Sequence, residues 1–346
     1  MKSQYLNTEN MSAFLEHLKT QKDVYAPYRK GSNSVTFEKV EDVEGVVLDY
    51  TRTLSSVKKY FLPNRELLLS FNSDDNSFVK PEINPLDAIF FGVHNYDLQA
   101  LLKLDYNFIN GNPEKNYLTR RAGCVFVGVS YKPDNFHFSG SVDIDQKNMS
   151  GFDIFLTKCD EGYIVNVFTE VGEKLISGFD KISTCSCDLP ASEEFNLSLY
   201  AQQSKLSEVL EESYDNPIWD EMAEKCVACG QCNLSCPTCY CFNVEESIDL
   251  SLSNGTRDRH LDSCMLRDFT AVAGGEIFRE KLAGRIRHRI YRKFKYISDV
   301  TGKSSCVGCG RCTAYCPAGI SITDIVNRLV SDYDKKKTIP CCGLQG

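Results

Sequence analysis

The strongest chemical signal in the chain is a pair of cysteine strings. They read Cys226-x2-Cys229-x2-Cys232-x3-Cys236-Pro237 and Cys306-x2-Cys309-x2-Cys312-x3-Cys316-Pro317. Thiolates are ligands for soft metals and for metal–sulfur clusters. Three of them at intervals of three residues let one short loop wrap a cubane and reach three of its irons. The fourth iron faces away from that loop and needs a ligand from elsewhere. Gly230 and Gly310 follow the second cysteine of each string, and a residue without a Cβ lets the backbone come close to a cluster. Pro237 and Pro317 fix φ where the loop must turn away. A zinc site needs only four ligands, usually as two separated C-x2-C pairs. Two complete four-cysteine strings, each ending in Cys-Pro, therefore argue for iron–sulfur chemistry. No C-x-x-C-H occurs, which excludes a c-type haem attachment locally.

Both strings match the C-x2-C-x2-C-x3-C-P run of bacterial ferredoxins, and in two-cluster ferredoxins the fourth cysteine of each run serves the other cluster. Carried onto this sequence, the resemblance implies two [4Fe–4S] clusters. One takes Cys226, Cys229, Cys232 and Cys316; the other takes Cys306, Cys309, Cys312 and Cys236. Small ferredoxins keep their runs close together, whereas a long insert separates them here. Within the insert, Ile286, Ile290, Phe294 and Ile297 recur at helical spacing, as do Ile322, Ile325, Val326, Leu329 and Val330 beyond Pro317. The reading is an all-helical two-cluster domain. Arg285, Arg287, Arg289, Arg292, Lys293 and Lys295 make the Ile286 helix basic. Two readings of that charge are open: a solvated face, or a docking surface or field that favours reduced clusters. Cys239, Cys241 and Cys264 remain over, and packing or S–H hydrogen bonding near the clusters is expected of them. Cys341-Cys342-Gly343 resembles the CCG element of heterodisulfide-reductase-type subunits without that element's other cysteines.

The elements that must position these strings belong to a chain of 346 residues, 42% hydrophobic and 25% charged, which is a globular composition. A formal net charge of −8 argues against a nucleic-acid partner. No apolar run reaches the roughly 18 residues of a membrane span, and the first residues lack the apolar stretch of a signal peptide. The expectation is a cytoplasmic protein with reduced thiols, where clustered cysteines bind metal. Of the 17 cysteines, Cys124, Cys159, Cys185 and Cys187 precede Cys226 and the other 13 lie at or after it.

The N-terminal half reads as mixed α/β. Residues 11–22 carry a short amphipathic pattern, and 152–156 and 163–168 flank Asp160-Glu161-Gly162 as a hairpin. A βαβ unit fits between Phe91 and Cys124. No G-x-G-x-x-G and no G-x-x-x-x-G-K-[ST] occurs, so no recognised nucleotide signature is present. The four early cysteines read as ordinary thiols. Residues 196–214 carry a helical pattern that Asp215-Asn216-Pro217 breaks. The expected organisation is α+β: a mixed α/β domain over 1–205, then a helical dicluster ferredoxin domain over 206–346.

Longer stretches carry a more specific resemblance. "CGQCNLSCPTCYCF" (229–242), "LDSCMLRDFTAVAGGEIFRE" (261–280), "HRIYRKFKY" (288–296) and "CVGCGRCTAYCPAGI" (306–320) resemble the iron–sulfur beta subunits of soluble sulfhydrogenases. The iron–sulfur component of anaerobic sulfite reductases is similar. "FFGVHNYDLQALLKLD" (90–105) and "GFDIFLTKCDEGYIVNVFTEVGEKLI" (151–176) extend the likeness over most of the chain. The resemblance implies a non-catalytic subunit in a hetero-oligomer. It would relay single electrons between a flavoprotein subunit that oxidises NAD(P)H and a catalytic subunit holding a nickel–iron centre or sirohaem. It also marks a departure: positions that are cysteine in the N-terminal half of that family correspond here to Tyr96, Tyr131, Phe136 and Phe138, which implies a missing cluster. His94, His137 and Cys124 nearby are read either as ordinary core residues or as some other site. The alternatives to an electron relay are a heterodisulfide-reductase-like or electron-bifurcating component, a reductase working at Cys341-Cys342 or Cys185/Cys187, and a redox-sensing or assembly module.

Overall fold

A computed structural model describes residues 3–32, 34–185 and 189–338. Cys187, Cys341 and Cys342 lie outside them. The chain divides into two compact units that interleave in sequence: Met1–Asp134, Ile144–Glu194 and Ser235–Leu261 form one; Asn135–Asp143, Phe195–Leu234 and Asp262–Gly346 form the other.

All described strands belong to the first unit: β1 (Ser3–Asn7), β2 (Val24–Lys30), β3 (Ser34–Lys39), β4 (Arg65–Asn72), β5 (Ser77–Val79), β6 (Ile89–Val93), β7 (Val125–Val129), β8 (Ile154–Cys159), β9 (Gly162–Val167), β10 (Ile182–Cys185), β11 (Phe242–Ile248) and β12 (Asn254–Leu261). Eight of them make one sheet in the order β10-β1-β9-β8-β7-β6-β2-β3. β2, β6, β7 and β8 run parallel, with antiparallel strands outside them. Every residue of Ile-Phe-Phe-Gly-Val in β6 and Val-Phe-Val-Gly-Val in β7 is buried, as parallel strands covered on both faces require. Period-two alternation sends Ile89, Phe91, Val125, Val127, Ile154 and Leu156 into one core and Phe90, Phe126 and Phe155 into another. Helices α1 (Met11–Lys19) and α4 (Glu170–Ile176) contribute Phe14, Leu15, Leu18 and Leu175 to the first. Helices α2 (Asn95–Ile109) and α3 (Lys115–Arg121) contribute Leu98, Leu101, Leu104 and Tyr117 to the second. The expected βαβ unit and the expected hairpin are thus present as β6–α2–α3–β7 and β8–β9.

The insert between the cysteine strings is only partly helical. Residues 242–261 form the antiparallel hairpin β11–β12, which joins β4 and β5 in a second sheet of order β11-β12-β4-β5. The Asp249 carboxylate shapes its turn by accepting from the Ser251 hydroxyl and the Ser253 and Asn254 amides. The pairing that defines this hairpin comes from β4, remote in sequence, so helical periodicity elsewhere in the insert gives no hint of it.

A buried charge network ties this second sheet to α3. The Glu66 carboxylate, 3% exposed, takes Arg120 at 2.5 Å, the Asn116 amide at 3.0 Å and the Arg259 guanidinium of β12. Arg259 also reaches Glu114, at the N-terminus of α3, at 3.0 Å. Burial pushes the Glu66 carboxyl up, but the hydrogen bonds and charges of Arg120 and Arg259 outweigh it and hold it below the ordinary carboxylate range. Removing one partner from a buried pair leaves an uncompensated charge, so Glu66→Ala lowers stability by about 3–5 kcal/mol in chemical denaturation. A depressed carboxyl contributes stability above its unfolded pKa and loses it as pH falls through the folded one. The gap between wild type and Glu66→Ala therefore narrows on acidification below the ordinary glutamate range.

The second unit holds α5 (Gln203–Glu211), α6 (Ile218–Lys225), α7 (Gln231–Leu234), α8 (Leu282–Tyr291), α9 (Ile297–Thr301), α10 (Arg311–Ala314) and α11 (Ile322–Thr338). The helix expected over 196–214 is shorter, because the backbone before α5 bonds elsewhere. Asn327 of α11 accepts from the Tyr200 amide and donates to the Ser198 carbonyl, both at 2.9 Å. A π turn over Arg292–Tyr296 links α8 to α9. No helix among the described residues is long and apolar enough to cross a membrane.

Candidate metal centre

The two cysteine strings fold alike. Each contains two left-handed residues: Ala228 (φ 53°) and Gly230 (φ 75°) in the first, Gly308 (φ 64°) and Gly310 (φ 71°) in the second. These turns point amides inward. Ala228 N–H donates to Cys226 Sγ at 3.4 Å, and Gly308 N–H donates to Cys306 Sγ at 3.4 Å. Ile320 N–H reaches Cys316 Sγ at 3.3 Å. Amide donors at sulfur stabilise the thiolate form and are a lever on cluster potential. The one-turn helices α7 and α10 then follow each glycine.

Cys226 and Cys232 of the first string and Cys312 and Cys316 of the second line one cavity of about 50 Å³. Met265, Ile286, Ile290, Ile320, Ile322 and Ile325 give it an apolar shell, broken by Arg289. Cys229 is exposed, Cys309 is buried and Cys306 is intermediate. Cys236 lies in the other unit, with Ser235–Leu261. Among the described residues no three Cys, His, Asp or Glu side chains form a group for a single metal ion. The donor set fits an iron–sulfur cluster: thiols from two loops around an apolar cavity, with amides aimed at sulfur. Burial pushes the Cys232 thiol up to about 11, against the pull of Arg289, so metal entry at this thiol displaces a proton.

The basic helix is not a solvated face throughout. Arg285, Arg289 and Lys293, spaced by four, are 5%, 8% and 4% exposed. Arg289 Nε donates to Asn233 Oδ1 at 3.0 Å and its Nη2 donates to the Cys232 carbonyl at 3.3 Å. Asn233 Nδ2 in turn donates to Cys264 Sγ at 2.8 Å. Cys264 is thus one end of a buried polar chain that terminates at Cys232. Lys295 pairs outward with Glu211 at 2.5 Å, and Arg287 lies 3.6 Å from the centroid of the Tyr214 ring.

Residues 225–320 match the 4Fe-4S dicluster domain family. Over 338 residues the chain is 32% identical to Sulfhydrogenase 2 subunit beta of Pyrococcus furiosus, a match that covers 94% of this chain and 97% of that protein. The chain belongs to the sulfhydrogenase beta-subunit family. No solved structure matches it.

Of the other candidates in the sulfhydrogenase-type chain, Cys124 and His94 belong to the first unit. The Cys124 thiol donates to the Arg120 carbonyl at 3.4 Å, whereas His94 stacks on Tyr50 at 3.9 Å; the two do not meet. His137 is fully buried in the second unit, between Phe136 and Phe138, which pack on the second string. Two contributors were not visible in sequence. Segment Asn135–Asp143 packs on the second string: Phe138 N–H donates to the Gly308 carbonyl at 2.9 Å. Within the first unit, Lys58, 5% exposed, donates from Nζ to the carbonyls of Cys236 at 2.9 Å and Cys239 at 2.7 Å. Nothing in Ser55-Ser56-Val57-Lys58 marks it, and only the contact reveals it.

A Cβ on Gly310 would stand 2.5 Å from the Phe136 carbonyl oxygen, but one on Gly230 would stand 3.1 Å from the Ser263 side chain. The strings therefore differ in tolerance. Gly310→Ala, with backbone on both sides of the clash, lowers anaerobically measured iron by about four per chain, while Gly230→Ala retains more of it. Lys58→Met strips a charged donor from two carbonyls and lowers stability by about 1–3 kcal/mol in chemical denaturation, with partial recovery in Lys58→Arg.

Proposed function

We propose that this chain is the electron-relay subunit of an oxidoreductase complex of hydrogenase or sulfite/sulfur reductase type. It carries single electrons between a flavoprotein subunit that oxidises NAD(P)H and a catalytic subunit, and binds no substrate itself. The assignment is two [4Fe–4S] clusters, one on Cys226, Cys229, Cys232 and Cys316, the other on Cys306, Cys309, Cys312 and Cys236. One observation supports it: Cys226 and Cys232 share a single apolar cavity with Cys312 and Cys316 of the other string, and the presence of Cys316 there suits crosswise ligation. Membership of the sulfhydrogenase beta-subunit family supports the relay role.

The clusters supply reversible one-electron chemistry when bound, at potentials that their surroundings set. The chain's own residues do the setting. The isoleucine shell excludes water from the cavity, and the N–H···S bonds from Ala228, Gly308 and Ile320 spread thiolate charge. Arg289 places a buried cation at Cys232 and Lys58 places one at Cys236. Each favours the more negative, reduced state. The second sheet supports a hetero-oligomer: Phe78, Val79, Phe242 and Ile248 on it are each at least 47% exposed, an apolar surface suited to a neighbouring protein chain.

The expected result for anaerobically purified chain is about eight irons and two reducible S = 1/2 centres by EPR. Cys226→Ala and Cys316→Ala affect one centre, and Cys306→Ala affects the other. If Cys316→Ala and Cys306→Ala remove the same centre, each string holds its own cluster and the crosswise assignment is wrong.

A further inference from the structure

The first unit holds a cavity that has no part in the cysteine centre. It measures about 470 Å³ and opens beyond the carboxyl ends of β7 and β8. That edge is where the loops of an open α/β sheet leave room for a ligand, and the volume falls in the range of small-molecule and cofactor sites. Three tyrosines, Tyr50, Tyr131 and Tyr163, line it and are 6–7% exposed. Two of them are braced from behind: the His94 ring stacks on Tyr50 at 3.9 Å and 15°, and packs on Tyr131 at 4.9 Å. The result is a stiff, flat, largely apolar wall.

The polar groups around that wall point to an anion. Lys132, Lys147 and Lys158 line the cavity against Asp49 and Glu193. All three lysines are exposed, and Lys158 is held 4.7 Å above the Tyr163 ring. Thr157, 8% exposed, lines the same cavity, and its hydroxyl has no hydrogen-bond partner among the described residues; a buried hydroxyl in that state is stabilised by a partner from a ligand. One wall is the segment 189–193, fastened where Gln146 donates to the Glu193 carbonyl and accepts from its amide, both at 3.0 Å.

We propose that this cavity binds a mononucleotide, its ring against the Tyr50–Tyr131 wall and its phosphate on the lysines. Flat heteroaromatic rings stack favourably on aromatic side chains, and several cations suit a phosphate dianion. The chain has no glycine-rich phosphate loop, so side chains rather than backbone amides carry the anion. The inference stands apart from the cysteine assignment.

Equilibrium dialysis of the full chain against FMN, AMP and inorganic phosphate tests it. The expected result is one FMN or AMP per chain with Kd below about 1 mM, and phosphate at least about tenfold weaker, since it lacks the ring. Lys147→Ala/Lys158→Ala weakens nucleotide binding about tenfold or more through lost charge-assisted contacts, with an unchanged circular dichroism spectrum. Ala191→Trp, which fills the cavity from the 189–193 wall, abolishes it. The proposal is overturned if neither nucleotide binds below that concentration, if phosphate binds as well as the nucleotides, or if binding survives Ala191→Trp.

Discussion

No Cβ fits between the second cysteine string and residues 136–139. A methyl on Gly308 would fall 2.5 Å from Ser139 backbone atoms, and one on Gly310 would fall 2.5 Å from the Phe136 carbonyl. Two left-handed glycines are what allow backbone to lie on backbone here. The chain organisation follows from that approach. Residues 135–143 leave the polypeptide of the first unit and return to it at Ile144, having contributed the surface on which the string rests. The first string meets no such demand, and its third residue is accordingly alanine. Ala228 accepts a left-handed φ of 53°, which costs a non-glycine residue about 1 kcal/mol.

Positive charge inside the second unit is the other organising feature. Buried cations are strongly destabilising unless something negative or polar meets them. Arg285 directs its guanidinium at the carbonyls of Arg279 and Glu280. Arg289 directs its own at Asn233 and the Cys232 carbonyl. These bonds all go to neutral acceptors. A carboxylate would cancel the field at the thiols, whereas a carbonyl leaves most of it in place. The Cys232 thiol shows the balance: burial drives it toward the neutral form and Arg289 opposes that.

What was legible in sequence was what local pattern dictates. The unbroken apolar runs of β6 and β7, the Asp160-Glu161-Gly162 hairpin and the heptad-like apolar stripe of α11 all appear where their spacing places them. Cysteine spacing disclosed the strings for the same reason: a cluster loop is a local object. The failures have a common cause in contacts remote along the chain. Hairpin β11–β12 is defined by β4, about 190 residues earlier by the span of its Arg65–Asp258 pair. The start of α5 is set by Asn327. Lys58 acquires a role only through Cys236 and Cys239. The burial of Arg285, Arg289 and Lys293 was hidden by a sound prior, since such side chains are almost always exposed unless paired.

The tyrosines that stand where relatives are expected to carry cysteine form a structure of their own. Tyr96 is fully buried and donates its hydroxyl to the Thr51 carbonyl at 2.6 Å, so at 2.7 Å it accepts from His94 Nδ1–H. Tyr96 and Tyr131 meet edge to face at 5.0 Å and 83°. Together with Tyr50 they enclose the imidazole in aromatic contacts on several sides. Four rings arranged in this way fill space, and the His94–Tyr96 bond and the donation of the Tyr50 hydroxyl to the Gly92 carbonyl at 2.7 Å fix two of them in place. A cysteine at 96 would exchange a buried phenol for a small thiol and leave a cavity of the kind that costs several kcal/mol. The aromatic set is therefore a packed core in its own right. It packs at the carboxyl edge of β6 and β7, at the place where the tyrosine-lined cavity opens.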